Sequence, residues 1–141
     1  MQVLPGWIDY NGHMTESRYL FASSETVDAF LRHIGADIAY VQGGHSYYTA
    51  ETHIRHLGEA KLGDHLTGTL QVLGHDDKRI HVWVRLVKDG AEVATVEQLL
   101  LHVDMGAGRA VPAPAHILER VAAMPGGPTP EGAGRHVGQR K

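Results

Sequence analysis

Cysteine is absent from the 141-residue sequence. Its absence excludes a disulfide framework, thiolate metal sites and a cysteine nucleophile, and it is compatible with a reducing compartment. No apolar run approaches the roughly 18 residues that a transmembrane helix needs, and residues 1–5 lack the charged and apolar parts of a secretory signal. We therefore expect a cytoplasmic protein that does not enter a membrane.

An excess of positive charge is absent as well. Lys and Arg number 13 against 16 Asp and Glu, which gives a formal net charge of −3. Without a positive field to attract a phosphate backbone, nucleic acid is not an expected partner. The hydrophobic fraction of 43% and the charged fraction of 21% are ordinary for a folded chain,. At this length we expect one domain with a substantial core.

The clearest predicted element is a long helix over residues 15–34. Its larger apolar residues recur three, four and seven positions apart, which places them on one face of a helix. Thr15 or Ser17 is expected to cap the start, and Gly35 to end the helix in the left-handed conformation. The apolar positions are Tyr19, Leu20, Val27, Phe30, Leu31 and Ile34.

The segments that follow predict an antiparallel sheet. Runs rich in β-branched and aromatic residues are separated by Gly and Asp, as in a meander of strands. Together with a short strand at residues 2–4 they predict an α+β fold, an antiparallel five-stranded sheet wrapped around one long central helix. The four longer strands are predicted at residues 46–57, 65–75, 79–88 and 91–104.

The sequence after Asp104 predicts a short helix over residues 115–123, after which the content of apolar residues falls. The folded domain is expected over residues 1–124, and the apolar-poor segment 125–141 is expected to be a flexible tail. Trp83 lies on the second face of its strand, and we expect another subunit to cover that face. Because open sheet edges favour association, we predict a homodimer or homotetramer.

The segment between the first strand and the long helix carries the candidate chemistry. N–H groups in the first helical turn lack acceptors and carry partial positive charge, so they can bind the oxygen of a polarised carbonyl. Asp9 can then attack that carbonyl or activate water. The alternative is that Asp9 and Asn11 only accept N–H groups of the turn.

Residues 7–19, WIDYNGHMTESRY, resemble the signature of hotdog-fold acyl-CoA thioesterases related to 4-hydroxybenzoyl-CoA thioesterase. Asp9, Gly12, His13 and Tyr19 stand in register with that signature, and the resemblance covers about residues 3–120. It implies a hotdog fold, thioester hydrolysis, and coenzyme A as part of the substrate with no other cofactor.

The resemblance also implies individual roles. Asp9 takes the place of the family's catalytic carboxylate, and Gly12 allows close approach of the thioester to the backbone. The backbone N–H of Glu16 takes the place of the amide that polarises the carbonyl, although Thr15 and Glu16 stand where the family usually has two asparagines.

The spacing of Asp9, Asn11 and His13 is similar to that in plant acyl-carrier-protein thioesterases. This similarity implies that Asn11 orients water or substrate and that His13 is a second acid/base group. The alternative for both residues is a role in the turn only.

Residues 51–57, 76–81 and 97–104 resemble thioesterases of carnitine metabolism that are found with, or fused to, carnitine dehydrogenases and act on betainyl-CoA. A trimethylammonium group donates no hydrogen bonds, so aromatic faces and carboxylate charge must hold it. The alternative is that these aromatic residues fill the core and the subunit interface. The candidates for substrate binding, besides Gly12, are Trp7, Tyr10, Tyr19, Tyr47, Tyr48 and Glu51.

Cationic side chains are candidates for the phosphates of coenzyme A, which this family binds near subunit boundaries. They are Lys61, Lys78 and Arg79, for which the alternative is a solvated turn. Glu51, His53 and Arg55 share one face of a strand, either as part of a site or as an ion-pair ladder. His53 and His56 point to opposite faces, so we predict no metal.

These observations favour hydrolysis of a small acyl-CoA, with betainyl-CoA as the best candidate. Two alternatives stay open. One is a non-catalytic hotdog subunit that binds acyl-CoA, and the other is a hotdog dehydratase acting on hydroxyacyl thioesters.

Overall fold

The computed structural model describes residues 1–139, which form one antiparallel sheet packed against a long helix. The sheet order is β1-β4-β3-β2, and β5 pairs with β4 beyond its end. The predicted four long strands are confirmed, with shifts of one or two residues at their ends. The strands are β1 (His45–His56), β2 (Thr67–His75), β3 (Arg79–Lys88), β4 (Ala91–Asp104) and β5 (Arg109–Ala110).

The fifth strand is not the one predicted at residues 2–4. Gln2 forms only an isolated bridge with His65. The N–H of Val3 donates to the carbonyl of Asp64, and the carbonyl of Val3 accepts the N–H of Gly63, in the turn that precedes His65. Pro5, which has no N–H to donate to a ladder, then begins a 3₁₀ turn over Pro5–Trp7,. The five-stranded antiparallel architecture stands, but β5 supplies the fifth strand.

The central helix, α1 (Glu16–Ile34), confirms the predicted stripe except at Leu20, which is 42% exposed. Thr15 occupies the N-cap position, but its side chain makes no capping hydrogen bond, so that prediction is wrong. Its backbone carbonyl instead accepts the N–H of Arg18 at 3.0 Å. Gly35 ends the helix at φ 97°, as predicted.

Two shorter helices complete the fold. The helix α2 (Ile38–Gln42), which the sequence did not predict, begins where the Asp37 carboxylate accepts the N–H of Tyr40 at 3.0 Å. The helix α3 (Ala115–Ala122) matches its prediction within one residue and buries Ile117 and Val121. Among residues 1–139, no helix combines the length and apolar character needed to cross a bilayer.

The core lies between α1 and the inner face of the sheet, where Val82, Val84 and Val96 are fully buried. The outer face, facing away from α1, carries Trp83 and Glu97, which are paired across β3 and β4. Alternation along the strands thus separates an apolar face from a mixed one.

Residues 125–139 lie over the outer face. The N–H of Gly134 donates to both carboxylate oxygens of Glu97 at 2.9 Å, and Gln71 donates to the carbonyl of Pro128 at 3.1 Å. Gly132 approaches the Trp83 ring, which is only 3% exposed. A segment of the same chain therefore buries Trp83, contrary to our expectation of a second subunit there. The flexibility of the tail stays a prediction, and residues 140–141 lie outside the described part of the chain.

Candidate active site

The turn before α1 is built around Asp9. Its Oδ1 accepts the N–H of Asn11 at 2.8 Å and that of His13 at 3.4 Å, and its own N–H donates to the carbonyl of His13 at 2.9 Å. Gly12 adopts φ 82° in this turn, a conformation that favours glycine,. Within residues 1–139, Oδ2 of Asp9 has no hydrogen-bond partner. One oxygen thus holds the turn, and the other is available for chemistry.

Helix α1 begins at Glu16, directly after this turn in the sequence. An isolated bridge joins Ile8 to Met14, and the N–H of Thr15 donates to the carbonyl of Trp7 at 2.8 Å. The next N–H, that of Glu16, donates to no atom of the described residues. Such an unpaired N–H at a helix start can stabilise negative charge on an oxygen. Asn11 contributes its backbone N–H to the turn, while its side chain has no hydrogen bond within the described chain.

A second loop, over residues 57–61, is fastened to this turn. The carbonyl of Ala60 accepts the N–H of Met14 at 2.7 Å, and its N–H donates to the Tyr19 hydroxyl at 3.0 Å. Glu59 then lies with Oε2 3.0 Å from Nε2 of His13. Glu59 could not be predicted from the sequence, because no local motif marks a carboxylate that reaches its partner from a separate loop.

Aromatic side chains near the turn are arranged around a cation. The rings of Trp7 and Phe21 pack edge to face at 5.5 Å, and the Arg18 guanidinium lies 5.7 Å and 5.6 Å from their centroids. Tyr10 is 98% exposed, whereas Tyr19 is buried with its hydroxyl bound to Ala60. Phe21 was also missed, since its exposed helical position gave no signal.

The other predicted substrate-binding residues lie elsewhere within the single chain. Tyr47, near the start of β1, packs against His102, whose Nε2 is hydrogen-bonded to the Tyr40 hydroxyl. Burial, followed by the neighbouring Tyr40, raises the pKa of Tyr47 to about 12. Burial also lowers the pKa of His102, whose Nδ1 donates to the carbonyl of Val111 at 2.8 Å. This network is satisfied internally and is remote from the Asp9 turn.

Tyr48 and Glu51 lie on the outer face. Tyr48 is 53% exposed, and Glu51 lines a cavity of about 600 Å³ formed by β1, β3, β4 and residues 134–137. In this cavity Nε2 of His81 lies 2.7 Å from Oε1 of Glu97. Within one chain, therefore, Tyr47, Tyr48 and Glu51 do not join the aromatic residues beside Asp9, and their roles stay predictions.

Among the described residues, no ion pair joins Glu51, His53 and Arg55 to one another. The ion-pair ladder is therefore not formed within the single chain. No group of three His, Asp or Glu side chains in the described chain is arranged to hold a metal ion.

The candidate cations for coenzyme A lie at opposite ends of the sheet. Lys61 is the last residue of the loop fastened to the Asp9 turn, whereas Lys78 and Arg79 belong to the β2–β3 turn, next to His102. Hydrogen bonds from the Arg79 guanidinium hold the pKa of Asp76 at about 2, so this cation already has a partner. A site that uses both ends requires residues from two subunits.

An antiparallel sheet around a long central helix defines a hotdog domain, and in this chain Asp9 lies in the turn before that helix. A Staphylococcus aureus protein solved in complex with CoA superimposes with a TM-score of 0.90 at 26% identity, covering 99% of this chain and 92% of that chain. A putative thioesterase from Pseudomonas putida KT2440 superimposes with a TM-score of 0.81 at 32% identity, covering 100% and 94%.

The sequence matches the Thioesterase-like superfamily over residues 3–121, and the chain belongs to this family. The L-carnitine dehydrogenase/betainyl-CoA thioesterase of Rhizobium meliloti is 54% identical over 146 residues, covering 99% of this chain and 29% of that protein. The betainyl-CoA thioesterase of Pseudomonas aeruginosa is 41% identical over 143 residues, covering 96% and 90%. The chain thus spans less than a third of the Rhizobium protein and most of the Pseudomonas one.

Proposed function

We propose that the protein hydrolyses an acyl-CoA thioester to the free acid and coenzyme A. The observation that carries the proposal is that Oδ2 of Asp9, in the turn before α1, and the N–H of Glu16, at the start of α1, both lack a hydrogen-bond partner among residues 1–139. The two relatives named betainyl-CoA thioesterases support the reaction, and the CoA-bound Staphylococcus neighbour supports the ligand.

The carbonyl oxygen of the thioester accepts the Glu16 N–H, which stabilises the charge that develops on it. On one route, Oδ2 of Asp9 bonds to the carbonyl carbon and the C–S bond breaks, releasing the thiolate of coenzyme A and leaving a mixed anhydride for water to cleave. On the other route, Asp9 takes a proton from water while the water oxygen bonds to the carbonyl carbon, and the C–S bond breaks to release the same thiolate. Neither route uses a redox group or a cofactor beyond the coenzyme A of the substrate.

The test is release of free thiol from a panel of acyl-CoA thioesters, followed with a thiol-trapping dye. We expect rapid release from at least one short acyl-CoA. Tight binding without release would indicate a non-catalytic acyl-CoA-binding subunit. Loss of water from a hydroxyacyl thioester, without thiol release, would indicate a dehydratase.

Betainyl-CoA is the proposed substrate. Two relatives carry that activity in their names, and the cationic guanidinium of Arg18 already lies beside the rings of Trp7 and Phe21, 5.7 Å and 5.6 Å from their centroids. The trimethylammonium group of betaine has the same need for aromatic faces.

Betainyl-CoA should be hydrolysed with a higher kcat/KM than tert-butylacetyl-CoA, its uncharged isostere. Cation–π attraction of about 0.5 to 2 kcal/mol per ring corresponds to a ratio of roughly 2- to 30-fold for each ring that contacts the cation. The measurement is steady-state thiol release with both thioesters. Equal kcat/KM values, or a preference for long fatty acyl chains, would remove the cationic substrate and leave the hydrolase.

We also propose a cytoplasmic homodimer or homotetramer. The edge strands β1 and β2 leave backbone groups available for pairing, and the candidate CoA cations at opposite ends of the sheet can serve one site only across two chains,. Light scattering at micromolar concentration should give at least twice the chain mass of 15.4 kDa. A mass near that of one chain would contradict both the assembly and the shared CoA site.

A further inference from the structure

Residues 125–139, which we call the strap, lie on the outer face of the sheet although little apolar packing holds them there. Only Pro130 and Gly132 of the strap are buried. Gly132 adopts φ 91°, and the guanidinium of Arg55 occupies the place where a Cβ at Gly132 would lie. The strap is thus fitted to the sheet at this point, and polar contacts must supply most of its attachment.

The carboxylate of Glu97 makes the main polar contact with the strap. Its side chain is only 10% exposed, and a carboxylate buried to this degree needs hydrogen-bond donors,. His81 supplies one, with Nε2 2.7 Å from Oε1, and the N–H of Gly134 donates to both oxygens at 2.9 Å. Bonds to a charged acceptor are stronger than neutral ones, such as that from Gln71 to the carbonyl of Pro128 at 3.1 Å,. Glu97 is therefore the principal anchor of the strap.

Closure of the strap also has an unfavourable side. Trp83 is 3% exposed beneath the strap, and its Nε1–H has no hydrogen-bond partner among residues 1–139. The hydroxyl of Thr95, on the same face of the sheet, is likewise buried and unpaired within these residues. A buried donor without a partner destabilises the state that buries it, whereas water would satisfy the indole N–H if the strap lifted. The contacts at Glu97 and at Trp83 thus act in opposite directions, which leaves the closed strap close to opening.

We propose that the strap is a conformational device that opens and closes as a unit, with the Glu97–Gly134 contact as its latch. In the closed state it buries Trp83, and residues 134–137 form one wall of the cavity of about 600 Å³ on the outer face. In the open state the indole meets water and the cavity loses that wall. The proposal is independent of the hydrolase function, because none of these residues belongs to the Asp9 turn.

Amide hydrogen exchange of the wild-type protein tests the latch with a control inside the strap itself. Gly134 and Gly138 have nearly the same backbone conformation, at φ 77° and 78°, but the N–H of Gly138 has no partner among the described residues. After correction for intrinsic rates, the Gly134 amide should exchange about tenfold or more slowly than that of Gly138, since its bonds are made to a charged group. Equal rates at the two positions would show a tail that is not latched.

Variants of the full chain then break the latch from either side. Glu97→Ala removes the acceptor and should abolish most of the protection of the Gly134 amide, whereas Glu97→Gln keeps an oxygen without the charge and should give an intermediate rate. Gly134→Pro removes the donor and cannot adopt φ 77°, so it should open the strap while leaving the sheet unchanged,. Gly138→Pro is the matched control, because it makes the same substitution at a similar φ without removing a bond to the sheet.

Acrylamide quenching of tryptophan fluorescence reports whether Trp83 is uncovered. The chain has two tryptophans, so all variants are prepared in a Trp7→Phe background, where Trp83 is the only indole. The quenching constant of Gly134→Pro should rise towards that of the unfolded protein, while that of Gly138→Pro should stay at the value of the background protein. The double variant Glu97→Ala/Gly134→Pro should be no more open than the more open single variant, because both changes break one latch.

Three results would each overturn the proposal. They are unchanged exchange of the Gly134 amide in Glu97→Ala, equal quenching of Trp83 in Gly134→Pro and Gly138→Pro, and a double variant in which the two effects multiply. If Glu97→Ala does not fold, the two proline variants alone decide, because both substitutions lie in the strap and outside the sheet.

Discussion

Replacing Asp9 by asparagine should lower kcat for thioester hydrolysis by about 100-fold or more, since a positioned acid/base group alone contributes roughly 10² to 10⁴. The amide keeps an oxygen in the place of Oδ1, which accepts the N–H groups of Asn11 and His13. It cannot attack the carbonyl or take a proton from water. Steady-state thiol release with the preferred acyl-CoA measures the loss.

Thermal unfolding of the same variants separates chemistry from folding. Asp9→Asn should melt near the wild-type temperature, whereas Asp9→Ala also loses both turn hydrogen bonds and should be less stable by about 1 to 2 kcal/mol. An Asp9→Asn variant that folds normally and keeps nearly full kcat would show that the carboxylate serves only the turn, the alternative that the sequence alone left open.

The elements predicted well are those in which the sequence period equals the structural period. In β3 the alternating residues Ile80, Val82, Val84 and Leu86 are all buried, as period-two alternation requires,. The α1 stripe follows in the same way from the helical period. The Asp9 turn could also be predicted, because Asp9, Gly12 and His13 are close in sequence and the geometry of such turns is local.

The proposed aromatic pocket shows where alternation is insufficient. Tyr47 and Glu51 are four positions apart, so in a regular strand both side chains would lie on the same face of β1. A bulge between Thr49 and Glu51 shifts the register, so that Tyr47 is buried on the inner face and Glu51 lies on the outer one. A shift of one residue exchanges the faces of every later side chain, and nothing in the local sequence marks its position.

Contacts between segments that are distant in the sequence could not be predicted either. Glu59 reaches His13, and Gly134 reaches Glu97, across long stretches of intervening chain. Composition correctly described residues 125–139 as poor in apolar groups, but it could not show that their backbone would donate to a carboxylate on the outer face. Such pairings depend on the register of strands that lie between them.

Helix α1 and the sheet approach each other closely at Gly68, so we expect Gly68→Ala to destabilise the fold. Gly68 in β2 lies directly under Thr26 of α1, and an added Cβ would overlap the Thr26 side chain. Overpacking of this kind costs about 1 to 3 kcal/mol. In an open position the same substitution would stabilise by about 0.4 to 1 kcal/mol, because it lowers the entropy of the unfolded chain. The sign of the change therefore reports the contact.

Chemical denaturation of a small set of variants measures the change in the free energy of unfolding that this contact causes. Gly74→Ala, in the same strand but with no atom near the added Cβ, is the matched control and should be neutral or slightly stabilising. Thr26→Ala makes room for the new methyl group, so the double variant Thr26→Ala/Gly68→Ala should be more stable than the sum of the two single changes predicts. If Gly68→Ala instead stabilises the protein as much as Gly74→Ala does, α1 does not press on β2 at this point. The helix whose first turn forms the candidate active site would then sit differently on the sheet.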